Sequence, residues 1–257
     1  MLTIFKTMLT GIVRDVHTLF WTILFPVAML VGLGLYLDDP SYSERLLAGV
    51  LTMNVLFGSA MVTAFQVMAQ RNRGVYKLLR ATPFSTAAFI TAMTGSRAVL
   101  SLIVSTCIIT VGVVLFGISL SLQSLALIAL TLLIGTVCFT AIGFIAANLS
   151  RDESNVNMIS NLMSFPMLFT SEAFYSLQNA PDWVQFMGSI QPFYYFVKGM
   201  GFAVSPGNDA GEFWIALAIL AGFAALCLVV AAATFRWDSE RPGKRRVAQG
   251  RKTQHFS

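Results

Sequence analysis

A chain of 257 residues that is 56% hydrophobic and 11% charged, with a mean hydropathy of +0.73, carries more apolar surface than one soluble core can hide. Its solvent is lipid, and a soluble enzyme or receptor domain is excluded. The net charge of +5 reads as membrane topology and attraction to anionic lipid, not as a nucleic-acid surface.

Residues 1–18 put Phe5, Leu9, Ile12, Val16 and Leu19 on one helical stripe and Lys6, Arg14 and His17 opposite. That pattern predicts a helix lying in the membrane interface. The spread of Lys6 and Arg14, with no small-residue cleavage site after the first apolar run, argues against a cleavable signal peptide. The first span is expected to stay in the mature protein.

Apolar runs follow at 19–37, 46–70, 87–115, 122–149, 155–169 and 213–235. Most reach the roughly 20 residues a helix needs to cross about 30 Å of hydrocarbon. The fifth is short, at 15 residues with Pro166 within it and polar residues after it, and must be completed by what comes next. Six spans with both termini on one side collect 15 of the 17 Lys and Arg residues there, leaving only Arg45 and Lys198 opposite. That side is the cytoplasm by the positive-inside rule, in a cell (plasma or inner) membrane. The expected domains are the interfacial helix 1–18, a six-span unit 19–235 and a basic cytoplasmic tail 236–257.

Within the second run Ser59, Thr63, Gln66 and Gln70 share one helical face, either as a water-accessible path or as contacts with a neighbouring helix. Between the second and third runs lies a basic amphipathic segment, 71–83, with Val75, Leu78 and Leu79 on one face and Arg73, Lys77 and Arg80 on another. It reads as a lever resting on something outside the membrane. Arg97 sits ten residues into the third run, where a charge is costly, and is expected to snorkel toward headgroups. Residues 117–121 are too few for anything but a helical hairpin between the third and fourth runs.

The fifth run carries the most polar stripe of any span, Asn157, Ser160, Asn161 and Ser164, which is either part of a substrate path or subunit seam or hydrogen-bonded glue. Residues 171–209 are outside yet aromatic, with Pro181 placed to open one short helix and Pro192 to separate it from a second, so that two half-helices re-enter the outer leaflet. Cys107, Cys138 and Cys227 lie inside spans and read as small packing residues, and two histidines without an acidic cluster cannot build a metal centre. No phosphate loop, nucleophile with a base or intramembrane carboxylate can be picked out. The chain is therefore expected not to be an enzyme itself, and its energy to arrive from outside.

These residues resemble the type-2 ABC exporter permease family, multidrug and antibiotic exporters among them, over nearly the whole chain. The most specific match is Arg73-Gly74-Val75-Tyr76-Lys77-Leu78-Leu79-Arg80-Ala81-Thr82-Pro83, similar to the family's Gly-x-x-x-x-Leu-x-x-Thr-Pro coupling segment. A second is Phe174-Tyr175, Ala180-Pro181-Asp182-Trp183 and Gln191-Pro192-Phe193, similar to the family's outer re-entrant signatures, with Gln191 where Asn is usual. The resemblance implies an all-α, type V exporter-like membrane fold: an interfacial helix, six transmembrane helices, a cytoplasmic coupling helix and a re-entrant outer gate over 171–198. It further implies a dimer with a second copy or a related permease. Each copy would dock an ABC ATPase subunit that binds ATP and Mg, with no cofactor in this chain. The cargo would be an amphipathic small molecule, drug, antibiotic, peptide or lipid moved outward by alternating access. The alternatives are a lipid-linked polysaccharide exporter permease and a membrane enzyme or sensor without an ATPase partner.

Overall fold

The computed structural model describes residue 10 and residues 16–37, 40–74, 86–173, 180–207 and 210–235. Most of the interfacial helix 1–18, the coupling residues Val75, Tyr76, Lys77, Leu78, Leu79, Arg80, Thr82 and Pro83, the aromatic pair Phe174 and Tyr175, and the tail 236–257 lie outside the described residues.

The described residues are helical, with no strand among them. In chain order we label α1 Val16–Leu37, α2 Pro40–Val55, a π-helical turn Leu56–Met61, α3 Val62–Asn72, α4 Thr86–Phe116, α5 Leu122–Leu149, α6 Glu153–Phe169, α7 Asp182–Ser189, α8 Pro192–Val204 and α9 Ala210–Ala233. The second apolar run is thus one rod made of α2, the π turn and α3, in which the Val62 amide reaches back five residues to the Phe57 carbonyl. Among the described residues four helical stretches are long and apolar enough to cross a membrane: Tyr42–Asn72, Ala87–Phe116, Leu122–Leu149 and Ala210–Ala233. α1 adds a shorter apolar stretch, Phe20–Tyr36, and α6 is 17 residues, about 25 Å at the rise of an α-helix.

Local sequence explains the joints. α4 ends where Gly117 takes φ +64, a left-handed conformation that costs glycine nothing, and its amide closes on the Val113 carbonyl at 3.1 Å. Four residues later Ser121 caps α5, its Oγ accepting from the Ser124 amide at 3.0 Å. The hairpin expected from residues 117–121 is formed. At the other end of α5 the chain turns through Ser150 and Arg151, and the Asp152 carboxylate accepts from the Asn155 amide at 2.8 Å to start α6.

α5 is the axis of the bundle, packed by α3, α4, α6, α8, α9 and the π turn. Two aromatic trios brace it. Phe139 meets Phe193 and Phe196 of α8 at centroid distances of 5.7 and 5.5 Å, and Phe144 meets Phe89 of α4 and Phe235 at 6.2 Å each. Among apolar helices in lipid the gain is close packing and not water expulsion, so small residues matter. At Gly135 an added methyl would overlap the Phe196 ring, and at Gly143 it would overlap the Ala60 carbonyl of the π turn. The outward faces of α4 and α9, with Ile103, Val114, Leu115, Ile215, Leu226 and Val229 exposed, are the surfaces left for lipid.

Candidate functional site

The described part of the 71–83 segment is its root. Arg71, in the last turn of α3, is buried at 5% exposure and donates from Nη1 to the Ala147 carbonyl at 3.2 Å and from Nη2 to Asn148 Oδ1 at 3.2 Å. Asn148 in turn donates from Nδ2 to the Ala231 carbonyl at 3.3 Å and to Thr234 Oγ1 at 3.2 Å. Beside them Asn72 Nδ2 donates to Glu153 Oε1 at 3.3 Å. Two consecutive residues thereby join the end of α3 to the end of α5, the end of α9 and the start of α6. Gly74 follows with φ +73, a left-handed step that releases the chain from the helix line. The function of Arg71 and Asn148 was not assigned from sequence, although an Asn near the end of an otherwise apolar run was a signal.

Arg97 departs from its expected position. It does not reach for headgroups: it is 4% exposed, and its Nη2 donates to Gln66 Oε1 on α3. A guanidinium this far along α4 is better held by an amide within the bundle than stretched to the interface.

Gln66 and Arg97 stand on the wall of a cavity of about 360 Å³ between α1, α3 and α4, together with Asn54, Ser59, Gln70 and Arg73. Among the described residues no carboxylate lines it. Three polar atoms on these wall residues, Arg97 Nε, Ser101 Oγ and Gln70 Oε1, are buried without a hydrogen-bond partner among the described residues. A second cavity of about 370 Å³ shares Thr22, Asn54, Gly58 and Val62 with the first and is otherwise apolar, with Trp21, Phe25, Met29, Met53, Phe57 and Met61. One wall common to both is the π turn, a local geometry frequent at functional sites.

The polar stripes divide. Ser59 and Gln66 line the first cavity, whereas Thr63 does not; it is fully buried against α5 where Gly143 lets the backbones approach. On α6, Ser160 and Ser164 are buried at 3%, while Asn157 is exposed and accepts at Oδ1 from Asn161 Nδ2 at 3.0 Å. Neither α6 group lines the two cavities.

The short helices α7 and α8 follow their prolines. Pro181 is the N-cap of α7 and Pro192 the first residue of α8, where a missing amide is harmless. Trp183 is exposed on α7, and Pro192 is buried. Gln191 between them reaches back to the end of α6, its Nε2 lying 3.0 Å from the Met167 carbonyl and 2.8 Å from Thr170 Oγ1. Lys198 of α8 pairs with Glu212 of α9 at 2.9 Å, a bond that raises the Lys198 pKa. Among the described residues no cluster of His, Cys, Asp or Glu could hold a metal ion.

No curated protein matches the chain. The family model for ABC-2 type transporters matches residues 1–204, which takes in α1 to α8 with the 71–83 segment and the cavity walls. The chain belongs to the ABC-2 type transporter family, and is a multi-pass membrane subunit of that kind.

Proposed function

We propose that this chain is the permease subunit of an ATP-driven exporter, moving an amphipathic small molecule, drug, antibiotic, peptide or lipid outward. The observation that carries this reading is the root of the 71–83 segment: Arg71 and Asn72 connect to α5, α6 and α9 at once. A push on residues 73–83 by a docked ATPase is thereby delivered to three helices together, which is what rigid-body switching of a helix bundle requires. In this reading Val75, Leu78 and Leu79 insert into a groove of the ATPase, and Arg73, Lys77 and Arg80 meet its acidic residues or lipid headgroups. ATP and Mg are bound by that partner, and this chain has no catalytic residue of its own.

The topology we assign is six spans, type V exporter-like, with both termini cytoplasmic. α1 supplies the first span, with about 33 Å of helix over its 22 residues, and α6 with the turn after it supplies the fifth. α7 and α8 form the re-entrant outer gate. A second copy, or a related permease, pairs through the exposed face of α6, where Met158, Leu162, Phe165 and Phe169 flank Asn157 and Asn161. The paired cavities, half polar and half apolar, suit an amphipathic cargo better than a lipid-linked polysaccharide.

The test is gentle purification of the tagged chain followed by mass spectrometry and export assay, with Leu78→Asp alongside. We expect an ATPase to co-purify with the native chain and to be lost, with export, from the folded variant. Normal export by Leu78→Asp, or the reproducible absence of an ATPase from the native preparation, overturns the reading.

A further inference from the structure

We propose that the joined cavities bind an amphiphile carrying a single acidic headgroup, which Arg97 receives while the apolar chain lies along Trp21, Phe25 and Met29. This rests on the permease reading for its place in transport, but the binding itself does not.

The charge balance of the wall argues for the sign. Two cations, Arg73 and Arg97, face the first cavity with the amides of Asn54, Gln66 and Gln70, and among the described residues no carboxylate answers them. Arg97 is 4% exposed, so its charge is not screened by bulk solvent, and among the described residues its recorded acceptor is a neutral amide oxygen, that of Gln66. Its Nε, together with Ser101 Oγ, retains unused hydrogen-bonding capacity on the same wall. A buried guanidinium is costly unless it is paired, and the partner with the right charge and geometry is a carboxylate or phosphate oxygen, which it can bind through two parallel N–H groups. A cationic amphiphile would meet like charge there and is disfavoured.

The shape argues for the rest of the molecule. The second cavity adjoins the first, with Thr22, Asn54, Gly58 and Val62 lining both, and beyond them presents aromatic and methionine side chains. Methionine lets such a wall fit chains of differing shape. At about 360 and 370 Å³, the two compartments hold one headgroup and one chain and not a bulky saccharide.

The experiment uses the purified full chain in nanodiscs of phosphatidylcholine and a photoactivatable diazirine derivative of palmitic acid, compared with its methyl ester. The acid should label α1 and the π-turn region saturably, at least about tenfold more tightly than the ester, as expected of a charge-assisted contact in a site of low dielectric. Arg97→Gln should bring acid and ester within about twofold of each other and Arg97→Lys should keep part of the preference, since the charge is retained and the paired N–H geometry is not. Should Arg97→Gln fail to fold, Arg73→Gln at the cavity lip is expected to weaken acid labelling by about threefold, a partly exposed charge contributing less. Equal labelling of the native protein by acid and ester, or labelling confined to the outer faces of α4 and α9, overturns the proposal. Doping the discs with phosphatidylglycerol separates two sources of the same headgroup chemistry: competition points to a resident anionic lipid, persistence to a single-chain acid, and both agree with the site. Acid preference without a co-purifying ATPase sinks the exporter reading alone, whereas an associated ATPase without acid preference sinks this one alone.

Discussion

Arg71 and Asn148, 77 residues apart in sequence, are bound side chain to side chain at 3.2 Å, and Asn148 passes the connection on to Ala231 and Thr234. The end of α3 is thus tied to the ends of α5 and α9 through one buried amide. Arg71→Ala removes the donor to Asn148 and to the Ala147 carbonyl; Asn148→Ala leaves a buried guanidinium branch without its acceptor. Each should lower unfolding free energy by about 1–3 kcal/mol, and the double variant should cost clearly less than the sum. Thermal unfolding of the four proteins in one detergent checks this, and additivity within about 0.5 kcal/mol would show that the two side chains act independently.

Gly135 and Phe196 make a second prediction. The ring of Phe196, fully buried between Phe139 and Phe193, occupies the space a β-carbon at position 135 would need. Gly135→Ala should destabilise by about 1–3 kcal/mol through overpacking, and Gly135→Ala combined with Phe196→Leu should recover part of the loss. The measurement is the unfolding midpoint of both variants. A second substitution that deepens the loss would mean the clash is relieved elsewhere.

Gln191 latches the short helices α7 and α8 to α6 by reaching the Met167 carbonyl and Thr170 Oγ1. Gln191→Asn shortens the side chain by one methylene and should lose these bonds, at a cost of about 1 kcal/mol, because the amide is largely buried. Hydrogen exchange over residues 167–192 should rise in that variant while exchange in α5 stays as it was. Unchanged exchange in both would remove the latch.

The α6 stripe separates glue from surface in a testable way. Ser160 Oγ is buried with no hydrogen-bond partner among the described residues, so Ser160→Ala should be neutral or stabilising by up to about 1 kcal/mol. Asn157→Ala with Asn161→Ala removes an exposed pair and should leave monomer stability within about 0.5 kcal/mol while weakening self-association. Analytical ultracentrifugation and thermal unfolding distinguish the two effects. Intact association of the double alanine variant would remove Asn157 and Asn161 from the proposed subunit seam.

Much of the fold was legible because its signals are local. Apolar runs marked the four long membrane helices, and Pro181 and Pro192 marked the starts of α7 and α8, since a ring without an amide tolerates only a helix start. Residues 117–121 marked the hairpin by length alone. The polar stripe 59–70 was visible as a face, yet which helix each residue met was not. Thr63 turns to α5 only because Gly143, 80 residues on, has no side chain there.

The sequence by itself determined the solvent of this protein, its helical class and the family to which it belongs, because hydropathy, helix length and the 71–83 pattern act over short stretches of chain. Tertiary structure alone decided that Arg97 turns inward to Gln66 and that Arg71 ties α3 to α5, with Asn148 extending the link to α9. A long side chain can satisfy its charge either at the interface or against a partner helix. Only the neighbour that packing brings within hydrogen-bond reach settles which is cheaper.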